Sequence, residues 1–386
     1  MRYWRSCWRC WQGCLVLGAV AAIGTLGCGT SEPPSAGTGT GGDSSNTGSG
    51  GSNTAPPDAG SGGSGSGGAP GSGGEPADAV APTDTALDGG GSGDSSLPDP
   101  GTEGDGDFTI AAPFKADPEM TNKPGVMRGQ LVQWTMATSK TFADGTRKVA
   151  VYIPAGYKSG TETPFMVAQD GVNPQNGGSF GLDDLQPLLN NMIAEGRVPS
   201  MVGIFVDPAG QRSVEYDTPS DKYYQFVETE LIPEVLMRVK AMANLDLNLT
   251  KDPEGRGAFG GSSGGSCAFT MGWFHPESYR RILTLSGSFT PLKRTPPDFP
   301  NGAADYYMKA IPMTMPNKPL RVFLEAGSND LGGWKAANDG MAKALAAAKY
   351  HYRYVAATGA SHEDVGARRQ YLPAAMEWLW RGYKKP

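Results

Sequence analysis

Gly257-Ala-Phe259 leads through Gly260-Gly261-Ser262-Ser263-Gly264-Gly265 straight into Ser266-Cys267-Ala268-Phe269, a short β-run turning sharply into a helix. A Gly-x-Ser-x-Gly between strand and helix presents its serine on a strained turn, and the glycines on either side leave room for that turn. The pattern fits in two registers: Ser262 lies between Gly260 and Gly264, and Ser263 between Gly261 and Gly265. Ser262 is favoured, because it leaves Gly264-Gly265 where the first helical turn packs closest to the neighbouring strand. Ser263 then offers its backbone N–H to an oxyanion. The competing reading is a phosphate-binding turn, but neither Gly-x-Gly-x-x-Gly nor Gly-Lys-Ser/Thr is present.

A serine hydroxyl is a weak nucleophile at neutral pH unless a base takes its proton and an acid holds that base. Both follow in the order Ser, acid, His. Arg321-Val-Phe-Leu-Glu-Ala-Gly-Ser-Asn-Asp330 puts Asp330 on the loop beyond a strand's carboxyl end. Val355-Ala-Ala-Thr-Gly-Ala-Ser-His362 puts His362 after the next strand, before the last helix. Ligands of open α/β sheets bind at the carboxyl ends of the strands, so Ser262, Asp330 and His362 are expected to converge there. Asp330 accepts from the imidazole and holds its productive tautomer. Activity is expected to fall on acidification as His362 protonates.

Other candidates fit less well. His275, in Trp273-Phe-His-Pro276, reads as a capping or packing residue, and His351 lies on an alternating strand. Glu325 points from within a strand, Asp339 from a helix, and Cys267 reads as a small buried hydrophobe. A second oxyanion donor is expected on the loop after the first inner strand, Ala168-Gln-Asp-Gly171-Val172. There Gly171 lets the backbone turn and Val172 N–H faces the developing charge; the alternative is an ordinary Asp-Gly turn. Arg212, Glu215, Tyr216, Asp217 and Trp334 are candidates to line the acyl or alcohol side, against a reading as solvated loop charges and a packing aromatic.

Working outward, Leu131–Thr138 and Lys148–Ile153 read as an edge hairpin around the turn Ala143-Asp-Gly-Thr146. Strands are expected at Phe165–Ala168, Met201–Val206, Gly257–Phe259, Arg281–Leu285, Arg321–Leu324 and Tyr352–Val355. Helices are expected at Leu185–Ala194, Tyr223–Val239, Gly264–Phe274, Ala337–Ala348 and Gln370–Trp380, with Pro233 kinking or splitting the second. This alternation predicts an α/β fold, a mostly parallel central sheet with helices on both faces.

The start of the chain is of another kind. Arg2, Arg5 and Arg9 precede the apolar run Leu15–Leu26, which has the length of a signal-peptide core and is too short to span a bilayer. Residues 1–28 therefore read as an export signal. Gly27-Cys28 suggests a bacterial lipoprotein processing site with Cys28 lipidated, although ordinary signal cleavage is the alternative. The Cys7-Trp-Arg-Cys10 spacing is incidental in a segment removed after export. Residues 29–107 hold 24 of the 56 glycines, 12 acidic residues, and no aromatic or basic residue. They cannot bury enough apolar surface to offset ordering and read as a flexible spacer with a reach of about 50 Å.

The 279 residues from 108 to 386 remain for one large domain or at most two. Without residues 1–107, 30 basic face 27 acidic residues, so nothing argues for a nucleic-acid-binding face or a highly acidic partner. With only His275, His351 and His362, no histidine-built metal centre or other cofactor is expected, and Cys267 alone allows no internal disulfide. A membrane is expected as partner only through the anchor at Cys28.

The segments Val151-Tyr-Ile-Pro-Ala-Gly-Tyr157, Gln169-Asp-Gly171, Glu215-Tyr-Asp217, Gly260–Gly265, Gly327-Ser-Asn-Asp330, Gly359-Ala-Ser-His362 and Leu372-Pro373 with Trp378-Leu-Trp380 together resemble the enterochelin-esterase and esterase-D-like branch of α/β-hydrolases, which also holds feruloyl esterases and mycolyltransferases. The resemblance covers roughly residues 130–383. It implies an α/β-hydrolase without a large cap domain that cleaves a small-molecule or saccharide-linked ester through an acyl-enzyme. Ala360-Ser361 stand where the family has glycines before its histidine. Acyl transfer, or polyester or peptide cleavage, on the same triad is the alternative within the fold. A non-catalytic surface binding lipoprotein is the alternative outside it.

Overall fold

A computed structural model describes residues 102–172, 181–292 and 295–383. The export signal, Cys28 and all but the end of the spacer lie outside the described residues.

Nine strands form one sheet: β1 (Gly106–Ala111), β2 (Gln130–Met136), β3 (Arg147–Ile153), β4 (Phe165–Gln169), β5 (Val202–Val206), β6 (Arg256–Gly261), β7 (Arg281–Leu285), β8 (Arg321–Asn329) and β9 (His351–Ser361). Their order is β1-β9-β8-β7-β6-β4-β5-β3-β2. β2 pairs antiparallel with β3, and β3 antiparallel with β5; all other pairings are parallel. This is the α/β-hydrolase architecture, with the expected hairpin at one edge.

The helices are α1 (Leu182–Ala194), α2 (Arg212–Tyr216), α3 (Lys222–Phe226), α4 (Ile232–Ala243), α5 (Ser263–Phe274), α6 (Trp334–Ala347) and α7 (Val365–Trp380). The period of two along each strand sorts the core into two layers. Val202, Ile204 and Val206 of β5, with Val322 and Leu324 of β8, face α4, α5 and α6; Phe205 and Phe323 face α1 and α7 instead. The central strands are covered on both faces, so they read as unbroken apolar runs.

The departures from expectation are local. β1 was not anticipated, and it begins two residues inside the stretch assigned to the spacer. It pairs in register with β9, Gly106 opposite Arg353. Just before it, the carboxylate of Asp105 accepts from Trp378 Nε1 at 3.2 Å and lies 2.9 Å from His351 Nδ1. The expected helix Tyr223–Val239 is not split: helical backbone runs on from α3 through a π-helical turn, Val227–Leu231, into α4, and Pro233 follows just after that turn, where the wider spacing takes up the residue that cannot donate. β9 runs unbroken to Ser361, directly before His362.

Candidate active site

The turn from β6 to α5 carries Ser262 at φ 52° and ψ −124°, a conformation that costs a non-glycine residue about 1–3 kcal/mol. The surroundings hold it there. Ser262 N–H donates to Leu285 O at 2.8 Å, and its carbonyl accepts from the N–H groups of Gly265, Ser266 and Ser288. A Cβ on Gly260 would lie 2.3 Å from the Gly264 carbonyl carbon, so strand and helix meet with no room between them. Ser263 is different: it is buried, and its Oγ donates to Asp217 Oδ2 at 3.0 Å. The geometry thus separates the two registers, with Ser262 at the elbow and Ser263 turned inward. Ser263 N–H, in the first turn of α5, is one of the donors a helix leaves unpaired.

His362 and Asp330 come together as expected. His362 Nδ1 lies 2.6 Å from Asp330 Oδ1, and the Asp330 side chain is fully buried. A carboxylate can only accept, so Nδ1 carries the proton and Nε2 is left as the base. Leu331 N–H donates to the same Asp330 oxygen at 2.7 Å. After His362 the chain turns through Glu363 at φ 49°, whose N–H donates to Ser286 Oγ at 3.2 Å, and Asp364 caps α7 through Ala367 N–H.

The Ser262 and His362 loops are linked through Ser288 and Trp334 on one side and touch directly on the other. Ser262 Oγ lies 3.3 Å from Ser288 Oγ, which accepts from Trp334 Nε1 at 2.9 Å, and the Trp334 ring stands edge-to-face with His362 at 6.2 Å. On the other side, Gly261 abuts Glu363 so closely that a Cβ would overlap its carboxylate. Burial pushes the Glu363 carboxyl above its usual range, against the pull of His362.

The oxyanion loop corrects the sequence reading. Val172 N–H donates to Asp207 Oδ1 at 2.9 Å and is therefore not an open donor in this structure. The left-handed residue of the turn is Asp170 (φ 57°), not Gly171; Gly171 is needed because a Cβ would meet Ala168 O at 2.8 Å and Phe205 at 2.9 Å. Arg212 holds Asp170 through Nε and Nη2, the shortest contact 2.6 Å, and Tyr216 Oη accepts from Asp170 N–H.

Three expected pocket residues are instead internal supports. Glu215 is buried against Arg147 at 2.9 Å and accepts from Ala209 N–H; burial pushes its carboxyl up to about 7 against the pull of Arg147. Tyr216 underlies the oxyanion loop, and Asp217 anchors Ser263. Arg212 and Trp334 remain partly exposed. His275 stacks on Tyr224, and Cys267 is buried in the core. Sequence reasoning missed Ser288, Asp170, Asp207 and Glu363. The signal for Ser288 was its place in Ser286-Gly-Ser288, immediately beyond the carboxyl end of β7. Among the described residues no cluster of three His, Cys, Asp or Glu could hold a metal.

Below the site, Glu325 of β8 is buried, and burial, with Asp330 and Glu363 adding to it, pushes its carboxyl up to about 8. An unfolded glutamate titrates near 4.3. The folded state therefore holds this proton more tightly, and its contribution to stability is fully present below about pH 4.3 and is lost as pH rises through about 8. Glu325→Gln should raise the thermal midpoint relative to wild type at pH 9 and not at pH 4. Equal differences at the two pH values would contradict this assignment.

The Esterase family model matches residues 139–371. A curated relative, the uncharacterized protein YbbA of Bacillus subtilis strain 168, is 25% identical over 196 residues, covering 48% of this chain and 70% of the relative. Among solved structures, enterochelin esterase from Shigella flexneri is similar with a TM-score of 0.53 and 22% identity, over 70% of this chain and 62% of that one. A mutant of the feruloyl esterase module from Clostridium thermocellum, complexed with sinapinate, is similar with a TM-score of 0.50 and 20% identity, over 72% of this chain and 96% of that one. This chain thus spans less than two thirds of the length of the enterochelin esterase.

Proposed function

We propose that this chain, which belongs to the esterase family, is a serine hydrolase that cleaves carboxylic esters through an acyl-enzyme. Ser262 Oγ attacks the ester carbonyl carbon as His362 Nε2 takes its proton. The imidazolium, held through Nδ1–H by Asp330, then returns that proton to the leaving alcohol oxygen. Water, deprotonated by the same imidazole, releases the acid and restores Ser262. Ser263 N–H, at the positive end of α5, stabilises the oxyanion, a contribution of about 3–4 kcal/mol for such a donor.

The observation that carries this reading is the 2.6 Å His362–Asp330 contact on a loop that abuts a serine held in the strained elbow conformation. A fluorophosphonate probe tests it together with hydrolysis of p-nitrophenyl acetate. Both should be lost in Ser262→Ala and retained in Ser263→Ala, which keeps the backbone donor. Labelling that survives Ser262→Ala would remove the assignment.

The substrate in this reading is a small-molecule or saccharide-linked ester. The similarity to an enterochelin esterase and a feruloyl esterase supports an aromatic acyl group, and comparison of aryl-acetate, feruloyl and catecholate esters tests it: equal kcat/KM for all three would count against it. The same reading places the enzyme outside the cytoplasm, exported by residues 1–28 and tethered at Cys28 through the Gly-rich spacer. It is supported by the Arg2, Arg5, Arg9 and Leu15–Leu26 pattern. Palmitate incorporation should be lost in Cys28→Ser; unchanged incorporation would exclude this cysteine.

A further inference from the structure

We infer that Ser288 and Trp334 form a directional hydrogen-bond relay that aims the proton of the nucleophile, with Ser288 as a positioning residue. The inference rests on Ser262 being the nucleophile, as proposed above. An indole N–H can only donate, so the 2.9 Å contact from Trp334 Nε1 makes Ser288 Oγ an acceptor on that side. Ser288 is buried, 1% exposed, and its own proton needs an acceptor there. Ser262 Oγ, 3.3 Å away, is the acceptor that the structure provides.

The direction of this bond matters. A serine pair without the indole can bond either way, and when Ser262 donates to Ser288 its proton is spent where no base can take it. With Trp334 in place the order runs Trp334 to Ser288 to Ser262, which leaves the Ser262 proton uncommitted to Ser288 and free for His362 to take. In the attack step that proton passes to His362 Nε2 and the Oγ electron pair forms the new C–O bond, while Ser288 keeps its own proton throughout. When deacylation breaks the same C–O bond, the Ser288 hydroxyl is again the donor beside the departing Oγ. The backbone reinforces the arrangement, since Ser288 N–H donates to Ser262 O at 3.0 Å and fixes the two residues together.

The test is a double-mutant cycle on the full chain, read by p-nitrophenyl acetate kinetics and by the second-order rate of fluorophosphonate labelling. Trp334→Phe keeps an aromatic ring beside His362 but removes the donor. It should lower kcat and the labelling rate by about 5- to 10-fold, the scale of one neutral hydrogen bond, with KM unchanged within about twofold. Ser288→Ala should do the same. In the Ser288→Ala background Trp334→Phe should then cost less than about twofold, and Ser288→Thr, which restores a hydroxyl, should recover most of the rate. Multiplicative losses in the double variant, a loss confined to KM, or no recovery with Thr would each overturn the relay. Thermal midpoints of all four variants guard against a folding defect. A Ser262→Ala variant that still hydrolyses or labels overturns the nucleophile assignment instead, so the two failures are distinguishable.

Discussion

Asp330→Ala is expected to lower kcat by about 10^4-fold, whereas Asp330→Asn should retain more activity than that. Both substitutions remove the charge that stabilises the imidazolium. They differ in what they do to the tautomer. In a triad where the amide is free to turn, an asparagine can present its NH2 to Nδ1 and move the ring proton to Nε2, which then cannot act as base. Here one carboxylate oxygen of Asp330 receives both Leu331 N–H at 2.7 Å and His362 Nδ1 at 2.6 Å. Turning the amide would set its NH2 against the Leu331 N–H, so the backbone keeps the oxygen facing the ring and the productive tautomer survives. The NH2 then replaces Oδ2, which is buried and has no partner in the structure, and the variant should lose about 1–3 kcal/mol of stability. Steady-state kinetics of the two variants decide the matter. An Asn variant as inactive as the Ala variant would mean that the amide turns and that Leu331 does not control it.

The parts of the molecule legible in the sequence are those governed by local pattern. Runs such as Phe165–Ala168 and Val202–Val206 are covered on both faces, so an unbroken apolar run marks them as strands, and the places of Ser262, Asp330 and His362 beyond the ends of β6, β8 and β9 follow from strand ends and spacing. What was not legible depends on partners distant in the chain. Glu215, Tyr216 and Asp217 read as a charged loop because their partners Arg147, Asp170 and Ser263 lie 46 to 68 residues away. Val172 N–H was assigned to an oxyanion because nothing in its own segment shows Asp207, 35 residues on. β1 was hidden by composition: Gly106 and Asp107 continue the acidic, Gly-rich tract, and only the pairing with β9 identifies them as sheet.

Gly260→Ala is expected to be among the most destabilising single changes in the domain, and the reason separates it from Gly261→Ala one residue along. At Gly260 the new methyl group would lie 2.3 Å from the carbonyl carbon of Gly264, 2.4 Å from its oxygen and 2.9 Å from its Cα. All three are backbone atoms of the first turn of α5, so no rotamer relieves the overlap. Relief requires moving the helix away from β6, and with it Ser262, whose N–H is tied to Leu285 O and whose carbonyl accepts from Ser288 N–H. An overlap that only backbone movement relieves belongs with the largest single-site losses, about 4 kcal/mol or more, which is a fall of at least about 8 °C in midpoint for a domain of this size. At Gly261 the methyl group overlaps Glu363 Oε1, the far end of a flexible side chain beside His362. That carboxylate can swing away, so Gly261→Ala should fold with a smaller loss of midpoint and show its effect in kcat. Thermal unfolding and p-nitrophenyl acetate kinetics of the two variants check this. A Gly260→Ala protein with a wild-type midpoint would show that the strand–helix contact has slack, and the elbow would then need another explanation for its strained serine.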